Sequence, residues 1–148
     1  MVSESMNKVI IDAALSAGAN KAAVIPQSKI VLNAMFRDIC ASNACGNYGN
    51  CYTCPPEIGD VHELMEQVKK FPYGLLYQTI TPIEDSFDFE GMMDAGKEHA
   101  QVSQRIQRAI TPLLAKPALH LAAGGCHLCD ICAKRLSLPC SPNYNRPR

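Results

Sequence analysis

Gly124-Gly125-Cys126-His127-Leu128-Cys129-Asp130-Ile131-Cys132, closed by Pro139-Cys140, is the stretch on which the reading of this chain turns. Three cysteines recur at every third residue and a fourth follows after seven more. A backbone curling round a compact centre can aim three thiolates inward at that spacing, with the fourth arriving from a looser return segment. Prolines 139 and 142 stand on either side of Cys140. The paired glycines upstream suit a backbone that turns sharply or approaches a neighbour closely.

A second group lies far upstream. Cys40, Cys45, Cys51 and Cys54 read C-x4-C-x5-C-x2-C and run directly into Pro55-Pro56, enclosing the loop Gly46-Asn47-Tyr48-Gly49-Asn50. All 8 cysteines therefore sort into two groups of four, the ligand number of a cubane cluster or a structural zinc. Bacterial ferredoxins hold iron–sulfur clusters with C-x2-C-x2-C-x3-C-P, a run close to the downstream group except in its last gap. A tight triple loop favours a [4Fe-4S] cluster over zinc, which more often pairs two C-x2-C hooks from separate turns. The same reading extends to the upstream group, although Cys51-x2-Cys54 by itself also suits zinc or a redox dithiol. Mixing of ligands between the groups is open, as in two-cluster ferredoxins. Backbone amides of Gly46, Gly49, Gly124 and Gly125 are expected to donate to cluster sulfur.

Composition narrows the class. The 148 residues carry 14 Lys+Arg against 14 Asp+Glu, so the formal charge is zero and no nucleic-acid footprint is present. The basic end Arg146-Pro147-Arg148 is too short to alter that. No apolar run is long enough to span a bilayer, and the start Met1-Val2-Ser3-Glu4-Ser5 has no signal-peptide character. The expectation is a cytoplasmic protein without nucleic-acid or membrane partners. In that compartment thiols stay reduced, which favours metal ligation over disulfides.

The periodicities predict a single α/β domain over residues 1–148, a small sheet packed by helices and carrying two cysteine-rich metal-binding loops. Ser3 caps a first helix with Met6, Val9, Ile10, Ala13 and Ala17 on one face, ended by Gly18. Ala22 to Ile25 reads as a strand. Ser28 to Phe36 fits either element, with helix favoured in its second half, and this packed segment should anchor the first cysteine loop. Asp60 opens a helix bearing Val61, Leu64, Val68 and Phe71, stopped by Pro72. Tyr73 to Ile80 is a strand. From about Phe87 a long amphipathic helix follows, with Phe89, Met92, Met93, Val102, Ile106 and Ile110 on its apolar stripe, and Pro112 kinks it or starts a new turn. Ala118 to Ala123 reads as a last strand feeding the second cysteine loop.

Other chemistry is thin. His62, His99 and His120 read as ordinary surface or core residues, and His127 as a solvent-facing residue or hydrogen-bond donor inside its loop. Asp85, Asp88, Glu90 and Asp94 crowd a helix start, where the dipole favours acids.

With these motifs in hand, the chain resembles the cysteine-rich proteins described as predicted metal-binding proteins of unknown function from anaerobic bacteria and archaea. The resemblance rests on Arg37-x-x-Cys40, Cys45-Gly46-Asn47-Tyr48-Gly49, Cys54-Pro55-Pro56, Tyr73-Gly74-Leu75-Leu76, Gly125-Cys126-x-Leu128-Cys129-x-x-Cys132, Pro139-Cys140 and Arg146-Pro147. Members of that family continue past the Arg-Pro, so the resemblance implies a short or truncated member. It implies metal binding and no particular reaction.

The function expected from sequence is one-electron transfer to a redox partner protein through two [4Fe-4S] clusters. The alternative is a zinc-stabilised binding or scaffold module without redox activity. Thiol–disulfide exchange at Cys51 and Cys54 is a third reading and requires an exposed, low-pKa thiolate. Lewis-acid catalysis by a cluster would need a coordination vacancy, which four cysteines per group do not leave.

Overall fold

A computed structural model of the chain describes residues 3–141 and 147; the flanking Pro142 and the end residues Arg146 and Arg148 of the sequence reading lie outside the described residues. Among the described residues there are four α-helices, α1 (Glu4–Ser16), α2 (Met35–Ala41), α3 (Val61–Lys69) and α4 (Phe89–Ile110), and two strands, β1 (Lys21–Pro26) and β2 (Tyr73–Gln78). The strands pair as one sheet. The Asn20 amide donates to the Gln78 carbonyl and the Gln27 amide to the Pro72 carbonyl, so the pair is antiparallel and the class is mixed α/β. No described helix is long and apolar enough to cross a membrane.

The chain divides into two compact units, one from residues 1–25 and 73–118, the other from 26–72 and 119–148. In the first unit, α1 begins where the Ser3 hydroxyl accepts the Met6 amide at 3.2 Å, one of the donors a helix start leaves unpaired. It ends at Ala17, where Gly18 takes φ +120°. A side chain at Gly18 would also press within 3.2 Å of Arg105 and 3.3 Å of Val102 on α4. Arg105 uses that gap: its Nε donates to the Ala17 carbonyl at 3.0 Å, setting a cation on the negative end of α1.

The core of this unit is Ala14, Ala19, Val102 and Ile106, with Ala22, Leu75, Tyr77 and Ile110 against it. The small Ala14 on α1 lets α4 come close, and burying Ile106 is worth about 1.5–3 kcal/mol over leaving it in water. Tyr77 donates to the Ser103 hydroxyl at 2.9 Å, and Thr79 meets His99 Nδ1 at 2.8 Å, so polar side chains also tie the end of β2 to α4. His99 has a structural role here.

Several sequence expectations change. The stripe on α4 was expected to be core from Phe89 onward, yet Phe89, Met92 and Met93 are exposed. At 1.5 Å per residue, α1 with 13 residues reaches about 20 Å and α4 with 22 about 33 Å, so α1 covers only part of its partner. Ala118 to Ala123 forms no strand; the sheet of the described residues consists of β1 and β2. β2 stops at Gln78, two residues short of Ile80, whose amide turns to the Asn20 side chain at 2.8 Å.

In the second unit, α3 starts at Asp60, whose carboxylate accepts the His62 and Glu63 amides at 2.9 and 3.1 Å. Helix α2 begins later than the reading of 28–36 placed it and runs to Ala41. Its Met35, Phe36 and Ile39 are exposed, so packing of this segment does not anchor the first cysteine loop. Arg37 does that work instead, donating to the Gly59 carbonyl at 2.7 Å across the loop.

Candidate metal centre

The first loop is built from turns. Cys40 sits in the last turn of α2, and left-handed conformations at Asn43, Gly46 and Gly49 fold the chain back (φ +54°, +75° and +72°). Asparagine tolerates that region because its side chain can satisfy the local backbone: Asn43 Oδ1 accepts the Tyr48 amide at 3.1 Å. Cys51 to Cys54 closes a turn through the Cys54 amide to the Cys51 carbonyl at 3.1 Å, and a cis Pro55–Pro56 bond follows. The Gly49 amide donates to the Pro55 carbonyl at 2.8 Å and the Gly46 amide to the Asn43 carbonyl at 3.1 Å. Those two amides hold the loop shut, which corrects the expectation that they donate to sulfur.

The second loop opens at Gly124, left-handed at φ +78°. A side chain at Gly125 would stand 2.9 Å from Asn47 Nδ2 of the first loop, so the glycine pair answers one turn and one close approach. Leu128 is the buried anchor of the segment. After Cys132 a 3-10 turn over Ala133–Leu136 ends at Ser137 with φ +55°, and the chain returns to Cys140. Cys126, Cys129, Cys132 and Cys140 all line one cavity of about 20 Å³, together with Leu128, Tyr52 and Thr53. The donor chemistry fits a thiophilic metal: four sulfurs, apolar and hydroxyl neighbours, and no carboxylate on the described wall. Among the described residues no three cysteine, histidine, aspartate or glutamate side chains stand together as a ready ion site, so the four thiols share a wall rather than a single point.

The two loops are stitched together. Arg135 Nη2 donates to the Gly46 carbonyl at 2.9 Å and reaches Asn47 Oδ1 at 3.4 Å. Lys134 pairs with Glu57 at 2.7 Å while its ammonium lies 5.8 Å from the centre of the Tyr52 ring. The Tyr52 hydroxyl donates to the Leu138 carbonyl at 2.6 Å. Sulfur joins in as well, because the Cys126 amide donates to Cys51.

All eight cysteines are free thiols. Cys40, Cys45 and Cys129 are exposed, Cys51 is 3% exposed, and the rest are half-buried. Burial works to raise the Cys51 pKa, but hydrogen bonds from the Thr53 hydroxyl, the Cys126 and Thr53 amides and the Cys54 thiol outweigh it and leave the thiol below its ordinary value. Cys54 is pushed up to about 12 by burial and by negative charge on its neighbour Cys51, with Cys45 adding to it. Burial raises Cys126, helped by the charges of Cys51, Cys129 and Cys132. Cys129, although exposed, is raised by the slight burial it has and by the charges of Cys140, Cys132 and Asp130. Raised thiols packed among thiols are the pattern of sulfurs waiting for a cation to neutralise them. The low-pKa thiol demanded by disulfide exchange exists at Cys51, but it is buried, where an attacking partner does not reach it.

The structure thus brings the four downstream cysteines to one cavity and sets Cys51 and Cys54 next to that wall, with Cys45 in electrostatic reach of Cys54. Cys40 lies in the last turn of α2 and is exposed. His127 is half-buried and does not line the cavity. Sequence reasoning missed Tyr52, Thr53, Lys134 and Arg135. Their signal was position: the first two lie inside the Cys51-x2-Cys54 hook, the others directly follow Cys132.

A family model described as predicted metal-binding protein (DUF2284) matches residues 23–147. No curated protein and no solved structure matches the chain significantly.

Proposed function

The chain belongs to this family of predicted metal-binding proteins, and from that premise we propose that it is a cytoplasmic iron–sulfur protein that passes single electrons to a partner protein. One [4Fe-4S] cluster would be held by Cys126, Cys129, Cys132 and Cys140, a second by Cys40, Cys45, Cys51 and Cys54. A bound cluster supplies a one-electron couple whose potential depends on hydrogen bonding and exposure. The observation that carries the reading is the convergence of all four downstream thiols on one cavity walled by sulfur, leucine and tyrosine. The chain's own part is to order those thiols, to donate amide hydrogen bonds to sulfur, as Leu128 does to Cys126, and to keep water off the buried side with Leu128.

Anaerobic purification followed by visible absorption and assay of iron, acid-labile sulfide and zinc tests this. The expected result is about four irons and four sulfides per cluster and bleaching on reduction. Zinc in place of iron, with no redox response, would sink the electron-transfer reading.

A second reading is a zinc-stabilised binding or scaffold module. The donor set on the cavity wall supports it, because four cysteine sulfurs are equally the ligand set of a structural zinc. The same metal assay separates the two.

A further inference from the structure

The cavity that collects the downstream thiols is not built by the downstream loop alone. Tyr52 and Thr53, the two residues between Cys51 and Cys54, stand on its wall. The exchange runs both ways. Arg135, three residues past Cys132, holds the Gly46 carbonyl at 2.9 Å, and Lys134 holds Glu57 at 2.7 Å, so the downstream loop supplies the clamps that close the upstream one. The Cys126 amide donates to the sulfur of Cys51, which places a backbone group of one cysteine set on a thiol of the other.

We infer that the two cysteine groups load metal cooperatively, with Tyr52 and Thr53 as positioning residues of the downstream centre and Arg135 as a positioning residue of the upstream one. The inference rests on the metal-binding reading above but not on which metal is bound. Its physical basis is shared ordering. A metal that draws Cys51 and Cys54 together fixes the turn bearing Tyr52 and Thr53, and so fixes a wall of the other cavity in advance. A metal in that cavity fixes Cys132 and hence the Arg135 clamp on Gly46. A conformational cost met once by the first metal is not met again by the second, and the linkage is necessarily reciprocal.

The test is an anaerobic titration of the reduced, metal-free full chain with cobalt(II), read by thiolate-to-metal charge-transfer and ligand-field absorption. The wild type should take up two ions per chain in one steep transition. In the Cys40→Ser/Cys45→Ser variant, which touches only exposed thiols, the remaining group should bind about 5- to 150-fold more weakly. The Arg135→Ala variant removes no thiol; it should still bind two ions, but in two separated transitions. An affinity of the downstream group unchanged in the first variant, or an isotherm unchanged in the second, would overturn the inference while leaving metal binding intact. Absence of cobalt uptake by the wild type would instead remove the metal-binding reading itself, and the coupling with it.

Discussion

The hydroxyl of Tyr52 donates to the carbonyl oxygen of Leu138 at 2.6 Å, joining two positions 86 residues apart in the chain. The bond is exposed, so its loss lets water replace the donor. Tyr52→Phe should therefore cost at most about 1 kcal/mol, at the low end for a neutral hydrogen bond, and lower the denaturation midpoint slightly without changing the denaturant slope. A loss of several kcal/mol would mean that the ring's seat on the cavity wall matters more than its hydroxyl.

Arg135→Lys should behave like Arg135→Ala rather than like wild type. Both contacts come from one guanidinium nitrogen, Nη2, which lies one bond further along the side chain than a lysine ammonium, so lysine falls short of the Gly46 carbonyl. Thermal unfolding of the three proteins in the metal-free state checks this, and full rescue by lysine would argue that only the charge counts.

Gly125→Ala should destabilise the second unit, because the new methyl would lie 2.9 Å from Asn47 Nδ2. That atom ends a flexible side chain, so Asn47→Ala should restore most of the loss. A double-mutant cycle reads the effect as a favourable coupling of about 0.5–3 kcal/mol between the two substitutions. Additive behaviour would show that the Asn47 side chain moves aside freely.

Ile106→Ala should cost about 2–5 kcal/mol, because the side chain is 1% exposed and packs in one cluster with Ala14, Ala19 and Val102. Phe89→Ala, on the same helix but 70% exposed, should change stability by no more than about 0.5 kcal/mol. Equilibrium denaturation of both variants measures the contrast.

The metal-free protein should lose stability above pH 9. The folded pKa of Cys54 lies at about 12 against an ordinary 9.0, so folding favours its neutral thiol. That contribution is complete below pH 9 and disappears as the pH rises towards 12. Cys54→Ala should flatten the decline. Metal binding has the opposite slope: raised thiols at Cys54, Cys126 and Cys129 are protonated near neutrality and give up protons to bind, so apparent affinity should climb with pH. Proton release on titration, followed with an indicator in weak buffer, measures it.

The parts of the fold that were legible in sequence are those decided within one turn of chain. Ser3 and Asp60 cap their helices, and Gly18 ends one, because the groups they satisfy or the angle it adopts are local. The triple cysteine spacing likewise puts thiols within a few residues of a common space. What could not be read was decided at a distance. Apolar alternation at 118–123 looks like a strand, yet a strand needs a partner to hydrogen-bond with, and whether another segment comes alongside is not written in the local pattern. Phe89 and Met92 look like core, yet what covers them depends on the length of α1. Tyr52, Thr53 and Arg135 entered the site only through contacts across the chain, which leave no periodic trace.

The second unit is assembled from two separated stretches, 26–72 and 119–148. During synthesis the first of these leaves the ribosome well before the second exists, so Cys40 to Cys54 must wait without Arg135, Lys134 or the Cys126 amide. A growing chain therefore carries Cys51 unguarded, open to oxidants and to stray metals, until the downstream loop appears. Alkylation of chains stalled at successive lengths should register the moment of protection as an abrupt drop in Cys51 labelling once the downstream loop has emerged.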